Sequence, residues 1–592
     1  MTSTRARSCL AAVLLSVAAL TVVFAQDDEC FGCLKARYWR VPLLSQRDAA
    51  VTFPETDGLK RARPDALDFG IAFSGGGTRA ASATVGQLRA LQHLGWLDKV
   101  RYITAVSGGA WAVVPFVYSP DSPGTLLGEF RAPSDLTLDA ITKPNGRIAQ
   151  QIAASQLFTG AFRETSEELF RDKGEDALRA RAAKIAFLND HFDQIVGGVK
   201  ALLHKTKNNE RRDKMYSRLL GPIFLDALIP NASARTFSWT GDTVADMFTL
   251  AGGGLPADML MTNVSRPFMI VGATMVTATG EEAVPQLTPI EYTPMYSGSR
   301  RSPDGRSAGT YVSSWAYDAP EAAPGGSGYI RASFDKTRPF SLADVIASTG
   351  AAPQLALLMP DVPKALNNYV KQAATVFPYY QHPAVDAEGA VTLSPAVPHG
   401  DGGLTDNLGL MPLLARGVKN VLVFFNTNTR EFGANDDLKS LFMPVGTLDG
   451  GGDKTHNQVF ESDKYEEVRR AYSKAGGNPL VHCARGLKVL PNAFYNIASY
   501  DGLNLCIFYN ADAKAWHDAI TNQPVHALFE GETASREKLD DFPWYDTFGQ
   551  NKPKAIYLDN RQVSLLGDFT SWVVGRKETV DEIRRTFAIQ LP

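Results

Sequence analysis

The chain has no excess of basic residues. Its 60 lysines and arginines are outnumbered by 63 acidic residues, the net charge is −3, and no segment forms a basic stripe. This balance argues against a nucleic-acid partner and against purely electrostatic docking on anionic membranes. Apolar residues (44%) and charged residues (21%) occur at ordinary globular levels, which excludes collagen, a coiled-coil rod and a chain disordered throughout.

Long apolar runs are also scarce, and the only one stands at the N-terminus. Two arginines precede an apolar run from Cys9 to Phe24, which is shorter than the roughly 20 residues that a bilayer span needs. The run ends in Val23-Phe24-Ala25, a small-x-small pattern that signal peptidase accepts. We therefore predict a signal peptide over residues 1–25, cleaved near Ala25, with an uncleaved signal anchor as the alternative. The expected destination is secreted, or lumenal in the secretory or lysosomal pathway.

Cysteine occurs only five times. Outside the predicted signal peptide there are four, Cys30, Cys33, Cys483 and Cys506, and this even number predicts two disulfides in an oxidising compartment. Three pairings are possible, and Cys483–Cys506 is the first expectation because it closes a local loop. The Cys30-x-x-Cys33 spacing also suits a redox or zinc motif, but it has neither a strand–helix setting nor a second pair of ligands.

The clearest structural pattern is a βαβ unit over residues 68–118. An apolar run, Phe69–Phe73, ends in glycines and precedes apolar residues at helical spacing, and Tyr102–Val106 is the next predicted strand. Both turns then lie at the same edge of a parallel sheet, where ligands bind beyond the carboxyl ends of the strands. Further strands are predicted over 267–272 and 418–425. The expected fold class is α/β, with a mostly parallel central sheet flanked by helices.

The first turn with chemical potential is Ser74-Gly75-Gly76-Gly77-Thr78-Arg79. Consecutive glycines at a helix start let backbone N–H groups approach a ligand, where they can stabilise an oxyanion or bind phosphate. Arg79 would stand beside that anion. The alternative is a tight glycine turn that packs the strand on the helix.

The second turn is Val106-Ser107-Gly108-Gly109. A serine on a sharp strand-to-helix turn presents its Oγ at the top of the sheet, as a nucleophile requires. Ala105 stands where the G-x-S-x-G pattern has its first glycine. The alternative is again a buried turn.

The third turn is Gly400-Asp401-Gly402-Gly403-Leu404-Thr405-Asp406-Asn407. A partly desolvated aspartate between glycines is a better base than its ordinary pKa suggests. The alternatives are a plain turn or a calcium loop, although the spacing of Asp401, Thr405 and Asp406 is not that of an EF-hand.

Together, these three turns resemble the catalytic domain of the cytosolic phospholipase A2 and fungal lysophospholipase (phospholipase B) family, which is related to the patatins. The resemblance implies that Ser107 is the nucleophile, Asp401 the catalytic base, Gly76 and Gly77 the oxyanion hole, and Arg79 the phosphate-binding residue. Weaker similarities lie in the segments 291–294, 347–353 and 416–418.

The residue patterns along the chain predict the domain organisation around this catalytic core. We expect a single elaborated catalytic domain over 26–592, with its core at about 68–118 and 260–430. A helical insertion at about 120–250 is a candidate cap, and a C-terminal extension at about 440–592 mixes helix and loop. Residues 297–328, rich in Gly, Ser, Pro and Arg, are expected to form a long surface loop or flap.

The implied activity is hydrolysis of fatty-acyl esters of glycerophospholipids or lysophospholipids, by a Ser–Asp dyad through an acyl-enzyme. This chemistry needs no metal and no cofactor. The expected partner is the lipid substrate at a membrane or micelle surface, with no nucleic acid and no obligate protein partner. Two alternatives stay open: a secreted esterase with a Ser–His–Asp triad that uses His399 or His482, and a non-catalytic lipid-binding relative.

Overall fold

The structure, a computed structural model, describes most of the chain beyond the predicted signal peptide. The described residues are 32–46, 52–155, 214–279, 284–324, 328–351, 375–381, 392–430, 436–445, 454–474, 480–530, 539, 541–545 and 558–592. The predicted signal peptide and Cys30 lie outside them.

Five parallel strands form the centre of the fold. They are β2 (Phe69–Phe73), β3 (Tyr102–Val106), β6 (Phe268–Thr279), β14 (Asn420–Phe425) and β16 (Tyr500–Tyr509), in the spatial order β6-β3-β2-β14-β16. Every residue of β2, β3 and β14 is buried. Parallel strands that are covered on both faces read as continuous apolar runs, which is why the sequence pattern located β2 and β3 at their observed bounds.

Antiparallel strands extend this centre into one sheet of 14 strands among the described residues. The remaining strands are β1 (Leu34–Val41), β4 (Phe237–Ser238), β5 (Leu260–Met261), β7 (Val284–Tyr292), β8 (Tyr296–Arg301), β9 (Ala308–Ser313), β10 (Ala322–Pro324), β11 (Tyr329–Ala332), β12 (Thr375–Gln381), β13 (Thr392–Asp401) and β15 (Val481–Val489). Beyond β6 the order is β7-β8-β9-β1-β11-β10, and β15 pairs with β16 at the other end. Strands β4 and β5 form a separate pair.

The expectation of a surface loop over 297–328 is wrong. Strands β8 and β9 pair there, and their residues are almost all buried. Small residues permit close strand packing rather than a loop: a β-carbon on Gly298 would lie 2.0 Å from the carbonyl oxygen of Thr310. The glycines and serines of this segment therefore allow tight packing within a sheet.

The helices of the described residues are mostly short. They are α1 (Thr56–Ala62), α2 (Gly77–His93), α3 (Gly108–Tyr118), α4 (Pro123–Leu127), α5 (Leu138–Thr142), α6 (Met215–Phe224), α7 (Gly241–Ala251), α8 (Leu342–Thr349), α9 (Gly403–Asp406), α10 (Met411–Ala415), α11 (Asp436–Lys439), α12 (Asp463–Lys474), α13 (Lys514–Asp518), α14 (Gln523–His526), α15 (Asn560–Gly575) and α16 (Lys577–Thr586). None of these described helices is long and apolar enough to cross a membrane.

The residues beyond about 440 contribute to the core more than the sequence pattern indicated. Strand β16 is part of the parallel centre, and α15 packs along α2 so closely that a β-carbon on Gly86 would lie 2.0 Å from the carbonyl oxygen of Gly567. A buried ion pair between Arg89 and Asp568, at 2.6 Å, joins the same two helices. Cys483 and Cys506 form a disulfide at directly paired positions of β15 and β16.

The predicted helical insertion lies partly outside the described residues. Helices α4, α5, α6 and α7 fall within 120–250, as do the helical residues 147–155, whereas 156–213 are not described. The cap role of this segment stays a prediction.

Two segments of the family resemblance meet in a buried ion cluster. The Arg416 guanidinium contacts Glu291 Oε2 at 3.0 Å and Glu55 Oε1 at 2.8 Å, and all three side chains are buried. Tyr296 donates a hydrogen bond to Glu55 at 2.6 Å, and Tyr311 donates one to Glu291 at 2.9 Å. Arg300 Nε also pairs with Glu291 Oε1 at 3.2 Å, so two arginines balance two glutamates, and the removal of one partner would leave another charge unpaired in the core.

Candidate active site

Ser107 occupies a strained turn between β3 and α3. Its backbone has φ 49° and ψ −124°, a conformation that non-glycine residues rarely adopt. The two glycines after it permit the turn, because a β-carbon on Gly108 would lie 1.9 Å from the Gly77 carbonyl oxygen and one on Gly109 would lie 2.7 Å from that of Ser74. The serine thus stands at the carboxyl end of a central parallel strand, as the sequence predicts.

The register of two strands on β6 brings Asp401 next to Ser107. Strand β3 pairs with β6 as far as Val106 opposite Gly272, and the antiparallel strand β13 pairs with β6 from His399 to Asp401, which lies opposite Ala273. Strand β7 occupies the other edge of β6 at these positions. Strands β3 and β13 therefore lie end to end along one edge of β6, and their carboxyl ends meet.

The two side chains are in direct contact. Ser107 Oγ donates a hydrogen bond to Asp401 Oδ2 at 2.9 Å, and the Gly403 N–H donates one to Asp401 Oδ1 at 2.7 Å. Burial raises the pKa of Asp401 to about 6, although these two hydrogen bonds and the charge of Lys454 act in the opposite direction. Such a carboxylate is ionised at neutral pH yet more basic than an exposed aspartate.

The glycine loop approaches the serine from the neighbouring strand. A β-carbon on Gly75 would lie 3.2 Å from Ser107 Cβ, and Gly76 and Gly77 have φ values of 134° and 59°. Gly77 is the first residue of α2, so its N–H belongs to the helix turn without an intrahelical partner. Helices α2 and α3 both begin here, and their positive ends favour negative charge beside Ser107.

Arg79 lies beside this loop but is only 4% exposed. Its Nε donates to the Asn426 carbonyl at 3.0 Å and its Nη1 to the Tyr545 carbonyl at 2.7 Å. Its Nη2 would lie 2.6 Å from a β-carbon on Gly76. The structure thus brings Arg79 to the predicted oxyanion loop, with two of its donors bonded to backbone carbonyls.

Neither candidate histidine stands between Ser107 and Asp401. His399 Nδ1 is 2.8 Å from the Val397 carbonyl, which can only accept, so Nε2 accepts from the Tyr317 hydroxyl at 2.8 Å. Burial lowers the pKa of His399 to about 4. His482 lies on β15, four strands from β3, or about 19 Å at the usual strand spacing. Ser107 therefore contacts Asp401 directly, and neither histidine lies between them.

A polar network that the sequence did not reveal supports the aspartate loop. The Lys454 ammonium donates to the Gly403 carbonyl and pairs with Asp437 Oδ1 at 2.8 Å. Asn407 Nδ2 donates to Asp437 Oδ2 at 2.6 Å, and the Asn407 carbonyl accepts from the Gly75 N–H at 3.0 Å. The network therefore connects the loop of Asp401 to the glycine loop that contains Gly75, Gly76 and Gly77.

Asp406, one of the oxygen donors of the calcium-loop alternative, bonds to the protein backbone. Asp406 Oδ2 accepts from the Met411 N–H at 2.8 Å, which fixes the start of α10. Within the residues that the structure describes, no group of three or more His, Cys, Asp and Glu side chains is arranged to hold a metal ion.

A family-model match identifies the family of this chain. The model of the patatin-like phospholipases matches residues 71–414, a span that includes the glycine loop, Ser107 and Asp401. Human cytosolic phospholipase A2 zeta is 44% identical over 62 residues, which cover 10% of this chain and 7% of that protein. Human cytosolic phospholipase A2 beta is 40% identical over 74 residues, which cover 12% and 9%.

A solved structure, human GIVD cytosolic phospholipase A2, aligns with 89% of this chain and 64% of its own, at 14% identity and a TM-score of 0.44. The matches thus span less than two thirds of the length of these relatives. The family model covers more than half of the 592 residues, and this protein belongs to the patatin-like phospholipase family.

Proposed function

We propose that the protein hydrolyses fatty-acyl esters of glycerophospholipids or lysophospholipids through a Ser107–Asp401 dyad. The observation that carries the proposal is the 2.9 Å hydrogen bond from Ser107 Oγ, on a strained turn, to a buried carboxylate with a raised pKa. A serine hydroxyl is a weak nucleophile unless an adjacent base accepts its proton. Here the only base required is Asp401.

In the first half-reaction, Ser107 Oγ attacks the ester carbonyl carbon while its proton passes to Asp401 Oδ2. The N–H groups of Gly76 and Gly77 stabilise the negative oxygen of the tetrahedral intermediate. The intermediate collapses, the carbon–oxygen bond to the glycerol breaks, and the departing alkoxide takes the proton from Asp401. Ser107 then carries the acyl group as an ester.

In the second half-reaction, Asp401 accepts a proton from water as the water oxygen attacks the acyl-enzyme. The same N–H groups hold the second oxyanion, and the proton returns to Ser107 Oγ as the fatty acid leaves. Arg79, beside Gly76, is the candidate for contact with the headgroup phosphate. Arginine suits that role because its planar donors match phosphate oxygens.

Fatty-acid release from vesicles of phosphatidylcholine and micelles of lysophosphatidylcholine, in the presence of a chelator, tests this proposal. We expect release by the parent and by Ser265→Ala, a serine on an exposed turn, and none by Ser107→Ala. His482→Asn should retain activity. Turnover by Ser107→Ala would overturn the dyad, whereas lipid binding without turnover in the parent would favour the non-catalytic alternative.

We further propose that the protein enters the secretory pathway and acts peripherally at a lipid surface. The disulfide between Cys483 and Cys506 supports an oxidising compartment, where such bonds persist. Expression with the native N-terminus, followed by N-terminal sequencing of the protein in the medium, tests this proposal. Residue 26 as the new N-terminus is expected, and an uncleaved, cell-retained chain would contradict it.

A further inference from the structure

Thr349, the last residue of α8, places its hydroxyl between the nucleophile turn and β6. The Ser107 N–H donates to Thr349 Oγ1 at 2.8 Å, and Thr349 Oγ1 lies 2.5 Å from the Gly272 carbonyl oxygen. An amide can only donate and a carbonyl can only accept, so the hydroxyl proton points to Gly272. This fully buried hydroxyl thus satisfies both backbone groups at once.

The backbone of Thr349 reaches the other half of the dyad. Its carbonyl has no intrahelical partner at the end of α8, and it accepts from the Gly402 N–H at 3.2 Å. Gly402 follows Asp401 directly, and a β-carbon there would lie 2.3 Å from the Gly272 carbonyl oxygen. One residue therefore contacts the turn of the nucleophile, the turn of the base and the strand that aligns them.

The last turn of α8 is itself held by three aromatic side chains. Trp111 Nε1 donates to the Ile346 carbonyl at 3.3 Å, and the Tyr292 hydroxyl is 2.8 Å from Ser348 Oγ. The Tyr216 hydroxyl donates to the Gly350 carbonyl at 3.0 Å. Thr349 consequently has little freedom to move away from Ser107.

We propose that Thr349 is a positioning residue that fixes the distance between Ser107 and Asp401, an inference that rests on the proposed dyad. A strained backbone persists only where its surroundings over-determine it, and the Thr349 hydroxyl is the partner of the Ser107 N–H. The Thr349 hydroxyl bonds to the backbone N–H of Ser107 and not to its Oγ. Its effect reaches the reaction through the placement of Ser107 Oγ, where an error of about 1 Å can cost roughly 100-fold in rate.

Thr349→Val tests this inference, because valine keeps the shape of threonine and removes the hydroxyl. Thr349→Ser, which keeps the hydroxyl, is the rescue variant. Thr293→Val is the matched control: the Thr293 hydroxyl is also buried, accepts from the Tyr296 N–H at 3.0 Å and donates to the Tyr296 carbonyl at 2.7 Å. Thr349→Ala is the second variant if the valine protein does not fold, since the vacated space admits water to both backbone groups.

The readouts are kcat and KM for fatty-acid release, the rate of inactivation by an alkyl fluorophosphonate, and Tm. We expect Thr349→Val or Thr349→Ala to lower kcat and the inactivation rate roughly 10- to 100-fold, with KM within about threefold. Thr349→Ser should recover most of the loss, and Thr293→Val should lower Tm with kcat unchanged.

A kcat for Thr349→Val or Thr349→Ala within twofold of the parent would overturn the inference, as would equal losses in Thr349→Val and Thr293→Val. Failure of the proposed dyad is a separate result, since it would appear as turnover by Ser107→Ala whatever Thr349 does.

Discussion

Ser107 and Asp401 stand 294 residues apart in the chain and 2.9 Å apart in the fold. Their contact follows from the pairing of one strand. The parallel strand β3 ends opposite Gly272 of β6, and the antiparallel strand β13 ends opposite the next residue, Ala273. The proposed nucleophile and the proposed base therefore face each other where two strands meet end to end, and strand register sets their separation.

The activity should depend on pH through Asp401. A base works only when it is ionised, and burial raises the pKa of Asp401 to about 6. We expect kcat/KM to be level above that pH and to fall about tenfold per unit below it. Burial lowers the pKa of His399 to about 4, so this histidine would not produce the decrease below pH 6, which is the acid limb of the profile. A profile that is flat from pH 5 to 8 would contradict the assignment.

Asp401→Asn should lower the activity and raise the stability of the fold at pH 8. Because burial raises its pKa, folded Asp401 keeps a proton that the unfolded chain has already lost, and its contribution to stability falls as pH rises toward 6. Asparagine is neutral at every pH. We expect the variant to lose at least about 100-fold in kcat, and to have a higher Tm than the parent at pH 8 but a similar one at pH 4. Calorimetry at the two pH values checks the second part, and a lower Tm at pH 8 would contradict it.

Lys454→Met should move the acid limb to higher pH. Burial raises the pKa of Asp401, and the Lys454 charge partly offsets this effect. Without the ammonium, Asp437 also loses its ion-pair partner, which leaves its negative charge unbalanced near Asp401. Lys454→Arg should keep the parent profile, and Lys514→Met, at an exposed lysine, is the control. An unmoved limb in Lys454→Met would show that this charge does not act on Asp401.

Gly108→Ala should separate the nucleophile turn from the oxyanion loop. Its new β-carbon would lie 1.9 Å from the Gly77 carbonyl oxygen, so one of the two turns must shift. Since oxyanion donors act only at hydrogen-bond distance, we expect kcat to fall about 100-fold or more. Gly241→Ala is the matched control, because no atom lies within 4 Å of its new β-carbon. Equal kcat in the two variants would exclude the predicted role of the Gly77 N–H.

The sequence predicts those parts of the site that depend on residues close together in the chain. Apolar runs identify β2 and β3 at their observed bounds, and the glycine-flanked Ser107 and Asp401 stand out as turns. The triad alternative could be weighed only with the structure, because the sequence cannot show that the His399 ring bonds to Val397 and Tyr317.

Other parts of the fold and of the site could not be predicted from the sequence, because they depend on contacts between residues far apart in the chain. Residues 297–328 have the composition of a loop, yet β8 and β9 form a buried hairpin there, because β9 also pairs with β1, whose residues lie far away in the chain. Strand β16 joins the parallel centre from the C-terminal part for the same reason. Lys454 carries no local signal at all, because its role arises from contacts with Gly403 and Asp437.

In the proposed mechanism, Ser107 is activated by Asp401 alone and forms the covalent intermediate. The most direct test is peptide mass spectrometry after reaction with an alkyl fluorophosphonate, in which Ser107 Oγ displaces fluoride from phosphorus. We predict one adduct in the parent, on the peptide that contains Ser107. The adduct should be absent in Ser107→Ala, at least about tenfold slower in Asp401→Asn, and unchanged in rate in His482→Asn. Labelling of Ser107→Ala at the parent rate, or loss of labelling in His482→Asn, would contradict the dyad.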